Sequence, residues 1–240
     1  MGDLSMMDDA GWLNQHASVL FEMDARGRIT RLNEPDPETE APRIFLARGR
    51  ASMLMLFRDD VPDDIAARLG GIAHELPSWD GEPTDRRDLD RLRDGVLESI
   101  GDAEQSHGPA FRFNGLLPQP LRDDLKLIDR ASASLLDQNF PYTRSVLDWR
   151  SPVIGVVRDD AVVSACYSAR RRPIACEAGV DTVEAYRGAG LASAVVSAWA
   201  DAVKAAGMTP LYSTSWDNAA SLRVAAKLGL DAYADTLSFG

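Results

Sequence analysis

The residues best suited to chemistry lie in one short stretch, Val180–Ala192, where an apolar segment runs through Arg187-Gly188-Ala189-Gly190 into a helical pattern. Glycines at 188 and 190 have no side chain to keep a diphosphate away from backbone N–H groups. The first turn of the following helix has N–H groups without intrahelical partners, and the helix dipole favours an anion there. The stretch therefore predicts a pyrophosphate-binding turn at a helix N-terminus.

Two other phosphate-binding motifs fit this turn poorly. A Walker loop ends in Gly-Lys-Ser or Gly-Lys-Thr, whereas Gly190 is followed here by Leu191 and Ala192. A dinucleotide fingerprint needs a third glycine or alanine, and an acid about twenty residues further on at the end of a second strand. Ser193 takes the former position, and the next acid, Asp201, lies inside the predicted helix. Both alternatives are weakened.

The turn resembles the acetyl-CoA loop of the GNAT N-acetyltransferases, which reads Arg or Gln, two residues, Gly, one residue, then Gly or Ala. The matching residues are Arg187, Gly190 and Ala192. Three flanking segments extend the resemblance over about the C-terminal half of the chain: 176–182 is similar to the family's fourth strand, 210–216 to its fifth, and Lys227-Leu228-Gly229-Leu230 to the close of the next helix. The resemblance implies the GNAT acyl-CoA N-acyltransferase fold, an α/β (α+β) arrangement with a mixed central sheet flanked by helices.

The resemblance also implies acetyl-CoA as the donor substrate. The backbone of Val180, Asp181 and Thr182 is expected to hold the pantetheine arm like an added strand, although an ordinary closed strand pair is the alternative. The pyrophosphate is expected on six residues of the turn, namely Arg187, Gly188, Ala189, Gly190, Leu191 and Ala192. Asn218 stands where the family places an Asn that contacts the pantetheine arm, and a simple helix cap explains it equally well.

The reaction implied by the resemblance is direct attack of a primary amine on the thioester in a ternary complex. The protein must then position two substrates, remove a proton and stabilise an oxyanion. Glu177 is the candidate general base, because it is a carboxylate in an apolar strand whose burial would raise its pKa toward the working range. The alternative is a solvated Glu, or one in a salt bridge with the neighbouring arginines 170–172.

The general acid is the clearest departure from the family. Many members carry a Tyr seven residues after the motif Asn, whereas this chain has Ala225, which cannot donate a proton. Tyr212 and Tyr233 are candidate substitutes, and each has the alternative role of a core aromatic. The thiolate could also leave unassisted or take its proton from water.

Ala225 motivates a rival function, a non-catalytic acyl-CoA-binding sensor or regulatory module. A second alternative is a transferase that uses a longer acyl-CoA, because the loop does not contact the acyl group. A third is a structural protein in which the loop binds nothing. The acceptor is expected to be a small-molecule or peptide amine, and a homodimer is left open.

Composition narrows the class of protein. The 240 residues carry a net charge of −11, which disfavours nucleic acid as a partner. No apolar run approaches the roughly eighteen residues of a membrane span, and the acidic N-terminus does not resemble a secretion signal. We therefore expect a cytoplasmic protein without a membrane partner. Cys166 and Cys176 are expected to be buried reduced thiols, and three scattered histidines argue against a metal site.

The elements that position these residues follow from apolar periodicity. Residues 1–107 are predicted to form an N-terminal α+β region, a candidate for shaping the acceptor site, and 108–240 the GNAT domain, with the boundary in the polar stretch 101–108. In the second region we predict helices at 121–136, 142–149, 190–206 and 219–228, and strands at 110–113, 153–157, 161–169, 173–182, 211–215 and 232–239. Apolar residues repeat every four positions from Leu191 to Val203, which predicts a core-facing stripe.

Overall fold

The computed structural model describes residues 7–36, 38–83, 86–115 and 122–240. The chain divides into two compact units. The first comprises Met1–Phe111, Ser213–Asn218 and Ala232–Gly240, and the second comprises Arg112–Tyr212 and Ala219–Asp231. The first unit therefore takes in two segments from the C-terminal part of the chain, which the predicted division had placed in the GNAT domain.

The helices and strands are, in chain order, α1 (Asp9–Leu20), β1 (Phe21–Met23), β2 (Ile29–Leu32), β3 (Ile44–Arg48), β4 (Met53–Phe57), α2 (Asp63–His74), α3 (Arg86–Ile100), β5 (Gln105–Arg112), β6 (Leu125–Ile128), α4 (Pro141–Ser145), α5 (Leu147–Arg150), β7 (Val153–Arg158), β8 (Ala161–Arg172), β9 (Ala175–Thr182), α6 (Leu191–Ala205), β10 (Thr209–Ser213), α7 (Ala219–Leu228) and β11 (Asp231–Phe239). Two short 3-10 turns cover Ala133–Leu136 and Glu184–Tyr186.

In the first unit, the main strands follow the order β4-β3-β11-β5. β3 is antiparallel to both β4 and β11. A cluster of buried aliphatic side chains joins α2 and α3 to β3 and β11, and it includes Leu46, Leu69, Leu92 and Leu237. This apolar cluster gives the unit its own core.

In the second unit, the strand order is β10-β9-β8-β7-β6, with β10 parallel to β9 and the other pairs antiparallel. Helix α6 packs on β7, β8 and β9. Its predicted stripe is confirmed, because Val195, Trp199 and Val203 have no exposed surface. A second apolar cluster, which includes Leu136, Phe140 and Leu147, packs the 3-10 turn and the helices α4 and α5 against β7 and β8. The predicted α+β class, with a mixed sheet and flanking helices, is confirmed.

Two element predictions were wrong in part. The helix predicted at 121–136 is instead strand β6 followed by a 3-10 turn. Leu125–Ile128 pairs with Val153–Val156 of β7, and this long-range ladder outweighs local helix propensity. The strand predicted at 110–113 begins earlier, since β5 runs from Gln105 to Arg112. Across the described ranges, none of the helices is both long and apolar enough to traverse a bilayer.

Candidate functional site

Strands β9 and β10 pair only where they begin. Their parallel register runs from Thr209 opposite Ala175 to Leu211 opposite Glu177. β9 continues for five more residues, 178–182, paired on its other edge with β8. Within the described residues these five have no ladder to β10, so the backbone groups on that edge of β9 are available to an extended ligand. Val180, Asp181 and Thr182 all lie in this open segment.

The open segment leads directly into the predicted turn. Gly188 and Gly190 have left-handed φ values of +79° and +74°. Gly190 is the N-cap of α6 and provides no side-chain hydrogen bond to the helix. For the N–H groups of Leu191, Ala192 and Ser193 we find no acceptor among the residues that the structure describes. The first turn of α6 therefore presents hydrogen-bond donors and the positive end of a helix dipole to an anion.

A lysine that the sequence analysis did not assign to the turn lies beside it. A Cβ atom built on Gly190 would stand 3.0 Å from the Nζ atom of Lys227, in the last turn of α7. The sequence indicated Lys227 only as part of the segment that closes this helix. The contact joins residues 37 positions apart in the numbering, so only the packing of α7 beside the start of α6 reveals it.

Arg187 also contributes a cation at the junction of strand and turn. Its side chain is exposed, and its Nε atom donates a hydrogen bond to the Thr182 carbonyl at 3.2 Å. The bond holds the guanidinium between the open segment of β9 and the start of α6. The glycine turn at 187–190 thus has no side chains at its two glycines. It lies beside two cations, Arg187 and Lys227, and beside the N–H groups of the first turn of α6.

Glu177 is buried, with 2% of its surface exposed. Its carboxylate accepts a hydrogen bond from Nη1 of Arg170 at 3.3 Å, across the ladder between β9 and β8. This is the salt bridge that the sequence had left as an alternative. Glu177 ends the part of β9 that pairs with β10, one residue before the open segment, and its role as a base stays a prediction.

The candidate general acids are both buried aromatics. Tyr212 donates a hydrogen bond to the Ser221 carbonyl at 3.5 Å, and burial raises the pKa of its hydroxyl, which therefore releases its proton less readily. Tyr233 belongs to the first unit, where its ring packs against Trp12 and His16 at centroid distances of 5.6 and 5.9 Å. These contacts correspond to the core role considered for both residues, and proton donation by either remains a prediction.

The two remaining positions of the family pattern lie at α7. Ala225 is buried, with 1% exposure, and has no group that could donate a proton. Asn218 is exposed in the first unit, immediately before the helix, and its backbone N–H donates to the Ser215 carbonyl at 3.0 Å. Its position before α7 suits a cap, and contact with pantetheine stays a prediction. In the described parts of the chain, no group of three or more His, Cys, Asp or Glu side chains is placed to hold a metal ion.

Comparison with known proteins identifies the region that contains this site. Residues 124–235 match the family model for GNAT acetyltransferase. This match confirms the resemblance of the C-terminal half of the chain to the GNAT acetyltransferases. The matched GNAT region begins before β6 and includes the open segment of β9, the glycine turn, α6, β10 and α7. No curated protein sequence matches the chain.

Several solved structures are similar to the chain. A GCN5-related N-acetyltransferase-like protein from Streptococcus suis has 22% sequence identity, a TM-score of 0.49, and coverage of 86% of this chain and 87% of its own. A GNAT-family protein from Novosphingobium aromaticivorans has 21% identity and a TM-score of 0.46 over 57% of this chain and 64% of its own, so this chain spans less than two thirds of that protein. A Salmonella typhimurium protein solved with its cofactor acetyl-CoA has 17% identity and a TM-score of 0.37, with coverage of 48% of this chain and 92% of its own.

Proposed function

We propose that this protein transfers an acetyl group from acetyl-CoA to a primary amine by direct attack in a ternary complex. One observation carries the proposal: the open edge of β9 runs into a helix N-terminus without a side-chain cap, beside two basic side chains. Pantetheine has amides that can pair with a strand edge, and pyrophosphate is the kind of anion that binds a helix N-terminus. The match of residues 124–235 to the GNAT acetyltransferase family model supports the same assignment.

In this proposal the donor is held by backbone more than by side chains. The pantetheine amides pair with the open edge at 180–182, where the backbone groups of Val180 and Thr182 face away from β8 and Asp181 lies between them. The pyrophosphate accepts hydrogen bonds from the N–H groups of 188–192. Arg187 and Lys227 balance its charge. The glycines have no side chain to keep the phosphates away from the backbone, and both have φ values that other residues rarely adopt.

The chemical step forms a bond between the amine nitrogen and the acetyl carbon and breaks the bond from that carbon to the CoA sulfur. The amine loses one proton, and the electron pair of the broken bond leaves on the thiolate. Glu177, directly or through one water molecule, is the proposed acceptor of that proton. The thiolate takes a proton from Tyr212, Tyr233 or water.

Replacing Glu177 by Gln tests the proposed base. We expect kcat to fall by about 10²- to 10⁴-fold, because the amide cannot accept the proton, while the Kd for acetyl-CoA stays unchanged. Turnover is measured as CoA release and affinity by calorimetry. The control is Glu98→Gln, an exposed carboxylate on α3 that is also paired with an arginine, Arg68. Unchanged turnover in Glu177→Gln would contradict the role of Glu177 as the base and leave only its salt bridge with Arg170.

Replacing Lys227 by Met tests the cation beside the turn. We expect the Kd for acetyl-CoA to rise about five- to tenfold, and its dependence on salt to weaken, because one charge near the pyrophosphate is lost. The control is Lys204→Met, which removes the same charge from the last turn of α6, about 20 Å along the helix from Gly190. Equal effects of the two substitutions would indicate general electrostatic attraction and contradict a direct contact.

The first experiment is a calorimetric titration of the CoA-free protein with acetyl-CoA. Saturable one-to-one binding, followed by CoA release with a panel of amines, is the expected result. Tight binding without transfer to any amine would favour a non-catalytic acyl-CoA sensor, which Ala225 motivates. If longer acyl-CoAs bound more tightly than acetyl-CoA in competition, the proposed donor would be a longer acyl-CoA. Absence of binding by the folded protein would overturn the proposal.

A further inference from the structure

A second feature of the second unit lies beside the open segment of β9. This feature is a cavity of about 400 Å³. One side is formed by the end of β9 and the residue after it, 181–183, and by Tyr167 of β8. The other side is formed by residues between 139 and 150, around α4 and at the end of α5. Side chains of a strand point out of the sheet, whereas its backbone groups bond within the sheet. Asp181 pairs through its backbone with Ala165 of β8, between the two residues whose backbone faces the open edge, and it can offer its carboxylate to this cavity.

Arg150 lines one part of the cavity and is held in a defined place. Its guanidinium lies 4.0 Å from the ring centroid of Tyr167 and 4.7 Å from that of Tyr142. Its Nη1 donates to Oγ1 of Thr143 at 2.7 Å. Its Nε is buried and has no hydrogen-bond partner, and no carboxylate pairs with Arg150 among the described residues. The structure thus orients a cation toward a cavity without supplying its counter-charge.

Asp181 supplies the opposite charge at another part of the same cavity. Its Oδ2 accepts a hydrogen bond from the Tyr167 hydroxyl at 2.7 Å, and its side chain is otherwise exposed. Burial, and then the hydrogen bond to Asp181 and its charge, raise the pKa of the Tyr167 hydroxyl, so that hydroxyl keeps its proton and remains the donor. No Lys or Arg among the described residues forms an ion pair with Asp181. The second carboxylate oxygen is therefore open to a cationic ligand.

Tyr167 contacts both charged residues. Arg150 covers the face of its ring, while Asp181 bonds to the hydroxyl at the edge, and no ion pair joins the two. Gly179 makes this arrangement feasible, since a Cβ there would lie 2.3 Å from the Tyr167 ring. One strand thus provides both the space for the tyrosine and the carboxylate beside it.

We propose that the cavity binds the acetyl acceptor, and that this acceptor is an amino acid with a free amine and a free carboxylate. The amine is bound in its ammonium form by Asp181, next to the open segment of β9, and the carboxylate by Arg150, whose planar fork suits it. The ammonium releases one proton to water to become nucleophilic, and the second proton, lost on attack, is the one that passes to Glu177. Phe140, Pro141 and Val183 give the cavity an apolar wall for a side chain. This inference rests on the proposed function, because it names the substrate of that reaction.

The test compares amino acids with their amides, which keep the amine and lose the carboxylate. The probes are L-leucine, L-phenylalanine, L-leucinamide and L-phenylalaninamide, titrated by calorimetry into the protein and then assayed for CoA release with acetyl-CoA. We expect the amino acids to bind at least about tenfold more tightly than the amides. Arg150→Met should remove that preference by weakening the amino acids alone, and Asp181→Asn should weaken acids and amides together.

Controls separate this inference from the proposed function. Arg130→Met, at an exposed arginine paired with Asp148, should leave every affinity unchanged. Arg150→Lys, which keeps the charge, should retain part of the preference if Arg150→Met fails to fold. The Kd for acetyl-CoA should be unaffected by Arg150→Met, and a rise would assign the cavity to the donor and overturn the inference.

Equal binding of acids and amides, or binding of neither, would also overturn the inference, even if acetyl-CoA binds and other amines are acetylated. Conversely, amino acids that bind with the expected preference but are not acetylated would uphold the cavity's specificity and contradict the proposed transfer. Direct binding of the probes therefore gives a result for the cavity that does not depend on catalysis.

Discussion

Gly190→Ala is expected to weaken acetyl-CoA binding at least about tenfold while the protein stays folded. The new methyl group would be added at a φ of +74°, which costs an L-residue roughly 1 to 2 kcal/mol, and would stand 3.0 Å from Lys227 Nζ. It would also occupy the space through which the pyrophosphate approaches the first turn of α6. Calorimetry with acetyl-CoA measures the affinity, and thermal unfolding measures the stability.

Gly207→Ala is the matched control for this substitution. Gly207 follows the other end of α6, has a φ of +77°, and has no atom within 4 Å of a built Cβ. Both substitutions should lower the unfolding temperature by similar amounts, since both add a side chain in the left-handed region. Only Gly190→Ala should affect acetyl-CoA. A similar loss of affinity in both variants would show that helix strain, and not the turn itself, controls binding.

Asp235→Ala is expected to destabilise the protein by about 3 to 5 kcal/mol. Asp235 lies in the first unit, where Arg48 Nη2, His107 Nε2 and Trp216 Nε1 each contact its carboxylate at 2.9 Å. The Arg48 and Asp235 side chains are 4% and 2% exposed. Removing the carboxylate leaves a buried guanidinium without its counter-charge, which costs more than the pair contributes when intact. Urea denaturation of the full chain, followed by tryptophan fluorescence, measures the change.

Asp148→Ala is the control for Asp235→Ala, because it removes a carboxylate from an exposed ion pair. Asp148 pairs with Arg130, and the two side chains are 70% and 83% exposed. An exposed ion pair is usually worth about 0 to 1 kcal/mol, because water and salt screen it. We expect Asp148→Ala to change the free energy of unfolding by an amount within that range. If Asp235→Ala lowered the free energy of unfolding by no more than Asp148→Ala, the prediction would be contradicted. The buried contacts of Asp235 would then contribute to packing and orientation, and the loss of its charge would cost little.

Much of the second unit could be predicted from local patterns. The four-residue repeat from Leu191 to Val203 predicted α6, and this stripe is buried because an amphipathic helix must cover its apolar face. Gly188 and Gly190 predicted a turn open to a diphosphate, and the structure adds that both have φ values that only glycine adopts at little cost. β6 was missed because its residues become a strand only through pairing with β7, a contact that the local sequence does not encode.

The catalytic and acceptor residues depended more on tertiary structure. The sequence alone indicated a phosphate-binding turn and a GNAT relationship, since the turn rests on residues within a few positions of one another and the relationship on short motifs that occur in order along the chain. Only the tertiary structure decided that Glu177 meets Arg170, that Lys227 lies beside Gly190, and that Arg150 and Asp181 line one cavity. Each of these contacts joins separate elements, and their distances depend on strand register and helix packing. Neighbouring residues determine the conformation of a turn, whereas the partner of a side chain is determined by the whole fold.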